Sequence, residues 1–191
     1  ITTRPLAPGF HYYTFVVDGV DLADPASEGY FGMSRMVSGI EVPSKGETFY
    51  DARNVPHGEI RIVSYTTRAG SQRKAVVYTP PDYDKNPAAR YPVLYLQHGY
   101  GEDRQAWWRQ GRVNFILDNL LAAGKAKPMI VVMTNGNPGD AAAPNVGAKK
   151  AEGQSNPGSM GSGKFEESLV NDVIPFIEKN YRCRTEKGSR A

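Results

Sequence analysis

A chain of 191 residues, 40% hydrophobic and 23% charged, has the makeup of an ordinary globular protein and the length to bury a sizeable core. Its 23 Lys and Arg against 20 Asp and Glu leave a formal charge of +3, spread without runs of one sign, which argues against a nucleic-acid or membrane-surface partner. No apolar stretch approaches the roughly 20 residues of a membrane-spanning helix. Cys183 is the single cysteine, so no disulfide closes within the chain, and three scattered histidines beside it form no metal-ligand pattern. No metal or other cofactor is expected. Ile1-Thr2-Thr3-Arg4 lacks the basic and then apolar organisation of a signal peptide and reads as an entry into the middle of a domain.

Residues 10–17 are aromatic and β-branched and run directly into Asp18-Gly19, which predicts a strand closed by a tight hairpin turn. Val20 to Leu22 begins the return strand, Asp24-Pro25 stops it, and Glu41 to Ser44 leads into a polar connection around Lys45-Gly46. Residues 1–45 thus form an all-β unit with too few strands to close a sandwich, and 46–58 form a linker. Residues 59–67 alternate as a half-buried strand, 68–71 turn, and 73–79 return as its hairpin partner before Pro80-Pro81. Val93 to Leu96 is a buried strand. Residues 112–123 place Val113, Phe115, Ile116, Leu117, Leu120 and Leu121 on one broad helical face that stops at Gly124. Met129 to Met133 is a second buried strand.

Residues 134–164 are rich in Gly, Ala, Pro and Asn and lack periodicity, which is expected of a mobile loop at the mouth of a site. Helical spacing resumes from Phe165 to Asn180, with a kink expected at Pro175, and residues 182–190 form a connection. Hairpin, strand, helix, strand, helix is the opening of an α/β fold whose mostly parallel sheet carries helices on both faces. Ligands bind such sheets beyond the carboxyl ends of the strands, which here means after Leu96 and after Met133.

Gln97-His98-Gly99-Tyr100-Gly101 follows the first of these strands. In α/β-hydrolases one oxyanion donor comes from this loop and the second from the residue after the nucleophile, and such donors stabilise the charge of acyl transfer. The residues alone also allow a plain strand-to-helix turn whose glycines serve geometry only.

The stretch Tyr91-Pro-Val-Leu-Tyr-Leu-Gln-His-Gly-Tyr-Gly-Glu-Asp103, followed by Trp107-Trp108, resembles the loop of the feruloyl and acetylxylan esterases of carbohydrate esterase family one. Residues 165–181 resemble the family's helix before the nucleophile. Residues 8–19, with Asp24-Pro25, resemble the immunoglobulin-like carbohydrate-module domain that often precedes the esterase. The resemblance implies an α/β-hydrolase portion at 59–191 behind a partial immunoglobulin-like sandwich. It implies a serine esterase acting on feruloylated or acetylated xylan, secreted or periplasmic, through an acyl-enzyme. The backbone N–H of Tyr100 is then the expected oxyanion donor. Gly99 and Gly101 shape the loop, and with them His98, Trp107 and Asn135 are the candidate substrate-binding neighbours; His98 is expected to hold the loop through ring hydrogen bonds, and Asn135 also reads as a plain turn residue.

The family's Gly-x-Ser-x-Gly elbow does not occur before Ala191, so the nucleophile, acid and base are expected on the remainder of the hydrolase domain. Ser159 in Pro157-Gly-Ser-Met-Gly161 lacks both the first glycine and a leading strand, and reads as loop. His11 and His57 read as ordinary strand and linker residues. Tyr12, Tyr13 and Phe15 offer sugar-stacking rings but fit sandwich core and interdomain contact better. Two rivals remain: a cytosolic thioester hydrolase of the esterase D type, and a non-catalytic carbohydrate-binding protein with a degenerate hydrolase domain.

Overall fold

The computed structural model describes residues 4–46, 48–136 and 164–191. The N-terminal unit holds β1 (Gly9–Tyr13), β2 (Phe15–Val17), β3 (Val20–Leu22), β4 (Gly29–Gly32) and β5 (Arg35–Val42). The run expected as one strand over 10–17 breaks at Thr14, and its halves take different partners. β1 pairs antiparallel with β5 in a sheet ordered β1-β5-β4, while β2 pairs with β3. Asp18 and Gly19, at φ 51° and 80°, form the turn between β2 and β3. Two successive positive φ values match the right-handed twist of the strands they join.

Sequence reading missed β4 and β5 because their turn is made by Met33 and Ser34, at φ 54° and 62°. Neither residue is a usual choice for the left-handed region, so nothing marks the hairpin in advance. Two glycines hold this sheet together. A Cβ on Gly32 would sit 2.4 Å from the Tyr12 ring, and one on Gly39 would sit 2.4 Å from the Phe10 ring. The rings of β1 therefore lie flat over bare backbone, which covers the glycines with aromatic surface.

The second unit is built on β6 (Glu59–Thr66), β7 (Gln72–Thr79), β8 (Val93–Tyr95) and β9 (Ile130–Thr134), in the order β6-β7-β9-β8. β6 to β7 and β7 to β9 are antiparallel, and the parallel part begins with β9 and β8. Arg190 bridges Val93 in parallel, and Tyr95 N–H donates to Ala191 O at 2.7 Å, so residues 190–191 run alongside the open edge of β8.

Side chains alternate cleanly across this sheet, as the period of a pleated strand requires. Ala75, Val77, Ile130 and Val132 face a helical segment made of α3 (Lys164–Ser168), a π-turn (Leu169–Val173) and α4 (Ile174–Asn180). Val76, Tyr78, Val131 and Met133 face the opposite side, where α2 (Val113–Ala122) packs through Val113 and Leu117. The irregularity expected at Pro175 takes the form of that π-turn. Proline has no N–H to continue the ladder, and the widened turn absorbs the lost bond before α4 starts.

The connection over 46–58 is docked along α2. Asp118, 1% exposed, accepts Nδ1 of His57 at 2.9 Å, the N–H of Gly58 at 2.9 Å and the O–H of buried Tyr78 at 2.7 Å. Asn119 Nδ2 donates to the carbonyls of Phe49 and Asp51, both at 2.9 Å. His57 is thus one leg of a buried clasp rather than an incidental linker residue. Neither Asp118 nor Asn119 belongs to the apolar face that the helical spacing defines, yet both are buried.

Candidate active site

Leu96 N–H donates to Val132 O at 2.8 Å and carries β8 one bond further before the chain leaves the sheet. Gly99 to Glu102 then forms a turn closed by Glu102 N–H donating to Gly99 O at 3.2 Å. Gly101 occupies the third position at φ 78°, where a type II turn needs a residue free to enter the left-handed region. The turn directs Tyr100 outward, with its side chain 78% exposed.

Gly99 N–H is held by Glu102 Oε2 at 3.2 Å. The N–H of Tyr100 takes no hydrogen-bond partner among the described residues. Like the N–H of Gly101, it lies beyond the carboxyl end of a parallel strand, where ligands of such sheets bind.

His98 is 4% exposed, and both ring nitrogens are engaged. Nδ1 lies 2.7 Å from Gly99 O, and Nε2 lies 2.9 Å from the N–H of Gly136. The Gly99 carbonyl can only accept, so Nδ1 is the donor in that contact. Asn135 Oδ1 lies 3.3 Å from the same Nε2. His98 thereby ties the loop after β8 to the turn after β9.

Asn135 is 8% exposed, and its carbonyl accepts Arg73 Nη2 at 2.8 Å. The structural reading of His98 agrees with these ring contacts, and Asn135 is held in the turn after β9. Both stand behind the loop and fix its shape. Of the tryptophans, Trp108 packs into the core under α2, while Trp107 keeps 38% of its surface exposed and donates Nε1–H to Gln97 O at 2.7 Å. Trp107 therefore braces the start of the loop and leaves part of its indole beside it.

Ser159 and nearly all of the 134–164 stretch lie outside the described residues. Among the described residues no group of three or more His, Cys, Asp or Glu is placed to hold a metal ion, and no helix is long and apolar enough to cross a membrane.

The loop has supports that sequence reading did not identify. Glu102 Oε1 accepts the O–H of Tyr12 at 3.0 Å, and Tyr12 in turn accepts Gln110 Nε2 at 2.8 Å. Burial first of all, with the Glu102 charge adding to it, pushes the Tyr12 phenol up to about 12, so it stays protonated and donates. Ser34 N–H donates to Gly101 O at 2.8 Å. Arg109 on α1 (Ala106–Arg109) reaches Gly29 O at 2.8 Å and stacks 4.5 Å over Tyr30. One signal was available: a glutamate three residues after Gly99 has the reach-back spacing of a helix capping box. The partners from β1 and the β4–β5 turn left no such trace.

The chain is similar to known proteins in sequence and in fold. The model of the Esterase family matches residues 66–191. An endo-1,4-beta-xylanase/feruloyl esterase of Xylanibacter ruminicola is 41% identical over 195 residues, covering 100% of this chain and 25% of that protein. A CE1 ferulic acid esterase from Anaeromyces mucronatus, solved with ferulic acid, superposes with a TM-score of 0.61 at 23% identity, over 77% of this chain and 52% of its own. A further solved ferulic acid esterase gives 0.56 at 29% identity, over 72% and 50%. The chain thus spans a quarter of the Xylanibacter ruminicola relative and about half of each solved structure. Its second unit has the fold of part of an α/β-hydrolase.

Proposed function

The chain belongs to the Esterase family, and from that premise we propose that it contributes the oxyanion loop of a serine carboxylic-ester hydrolase that releases feruloyl groups from plant xylan. The identity of 41% across the entire chain to a xylanase/feruloyl esterase carries the substrate assignment. The loop geometry is compatible with it, because the Tyr100 amide is unclaimed where the developing oxyanion needs a donor.

In this reaction a serine attacks the ester carbonyl, and the oxyanion is held by Tyr100 N–H and by the amide that follows the nucleophile. The sugar hydroxyl departs protonated and leaves an acyl-enzyme, which water then cleaves. No Gly-x-Ser-x-Gly elbow occurs in residues 1–191, so the serine, acid and base are assigned to no residue among them. Polymeric xylan is met outside the cytoplasm, so the protein works secreted or in the periplasm. The N-terminal unit is an immunoglobulin-like domain of the kind found beside carbohydrate-active enzymes. Glycines 99 and 101 set the loop, and Trp107 borders the acyl group.

Fluorophosphonate labelling tests this directly. The full-length protein is expected to be labelled on a serine outside residues 1–191 and to cleave methyl ferulate faster than an aryl acetate. The isolated 191-residue chain is expected to show neither labelling nor turnover. A label on Ser159, or turnover by the isolated chain, would refute the assignment. A preference for the acetate would move the substrate to acetylated xylan.

A further inference from the structure

The N-terminal β-unit reaches the loop on either side of Tyr100, once through the Glu102 side chain and once directly at the backbone of Gly101. On one side, Tyr12 O–H donates to Glu102 Oε1 at 3.0 Å while Glu102 Oε2 accepts Gly99 N–H at 3.2 Å. On the other, Ser34 N–H donates to Gly101 O at 2.8 Å, and a Cβ on Gly101 would meet Ser34 N at 3.1 Å. Tyr12 cannot swing away from this duty. Its ring lies over Gly32, and Gln110 Nε2 holds its oxygen from the second unit at 2.8 Å.

We propose that the N-terminal unit is a working part of the active site, in which Tyr12 through Glu102, and the Ser34 amide directly, position the Gly99–Gly101 backbone so that Tyr100 N–H points at the oxyanion. This rests on the esterase reading above and gives Tyr12 and Glu102 the part of positioning residues. The ring packing also takes Tyr12 out of any sugar-stacking platform. The unit therefore acts on every ester the enzyme cleaves, whatever its alcohol.

The test uses the full-length enzyme carrying Tyr12→Phe, with Tyr13→Phe as the control. The Tyr13 hydroxyl stays inside the β-unit, on Asp24 Oδ2 at 2.7 Å. Tyr12→Phe is expected to lower kcat about tenfold on an aryl acetate and on a feruloylated xylo-oligosaccharide alike, with KM unchanged, because loosening a reacting group's alignment acts on the transition state. Glu102→Ala is expected to lose at least as much, and Glu102→Gln, which keeps one acceptor oxygen, to recover part of it. Tyr13→Phe is expected to match the parent enzyme. Amide hydrogen exchange in the peptide holding Gly99–Glu102 is expected to quicken in Tyr12→Phe and not in Tyr13→Phe.

Parental kcat in Tyr12→Phe overturns the proposal. So does a rise in KM confined to the xylan-linked substrate, which would make the unit a sugar contact, and so does an equal loss in Tyr13→Phe. If the parent enzyme cleaves no ester, the esterase reading falls on its own. Quickened exchange in Tyr12→Phe then still supports the positioning contact, and unchanged exchange refutes it.

Discussion

Replacing Tyr100 with proline in the full-length enzyme is expected to lower kcat by roughly a hundredfold or more while Tyr100→Phe changes it little. Proline deletes the one N–H in the Gly99–Glu102 turn that this account places on the oxyanion, and loss of such a donor costs about 3 kcal/mol of transition-state stabilisation. The turn itself favours the experiment. Tyr100 is its second position, with Gly101 at φ 78° in the third, and proline is common at that second position of a type II turn. The closing bond uses the N–H of Glu102 and the carbonyl of Gly99, neither of which the substitution removes. Circular dichroism should therefore be unchanged. Near-normal kcat in a folded Tyr100→Pro enzyme would pass the oxyanion role to the amide of Gly101.

Asp118→Ala is expected to cost about 3 kcal/mol or more of folding stability, which urea denaturation would read as a lower midpoint at an unchanged slope. The carboxylate is 1% exposed and accepts three donors, so its removal leaves the O–H of Tyr78 and the N–H of Gly58 in the interior with no acceptor. The helix itself would not object, since alanine is the better helix former. Asp118→Asn keeps one acceptor oxygen and should fall between the two. Adding Tyr78→Phe to Asp118→Ala removes one orphaned donor, so the double variant should be less unstable than the sum of the single changes. A midpoint within experimental error of the parent would show that the clasp over 46–58 contributes nothing.

The second unit was legible in the sequence because its elements obey simple periods. Val93–Tyr95 and Ile130–Thr134 are continuous apolar runs, and residues 59–79 alternate about a polar turn. The loop after β8 was marked by two glycines between a buried strand and a helix, and the family resemblance, not that pattern, gave it the oxyanion reading. The first unit was less legible. Met33 and Ser34 adopt left-handed angles that their side chains do not advertise, so a hairpin and the longest strand of that unit went unread.

Long-range polar contacts left no local mark at all. Tyr12 and Glu102 are 90 residues apart, and His57 and Asp118 are 61 apart. Burial of Asp118 and Asn119 comes from the docked linker, which no helical periodicity encodes. The loop-holding role of His98 was legible from its place after β8, whereas its partners, Gly99 O and the N–H of Gly136, are shown only by the fold.

The most direct measurement is ferulate release from a feruloylated xylo-oligosaccharide by the purified full-length protein, followed by the absorbance of free ferulate. Catalytic release that is abolished by prior fluorophosphonate treatment is expected. A folded protein that binds the oligosaccharide and liberates no ferulate would contradict it.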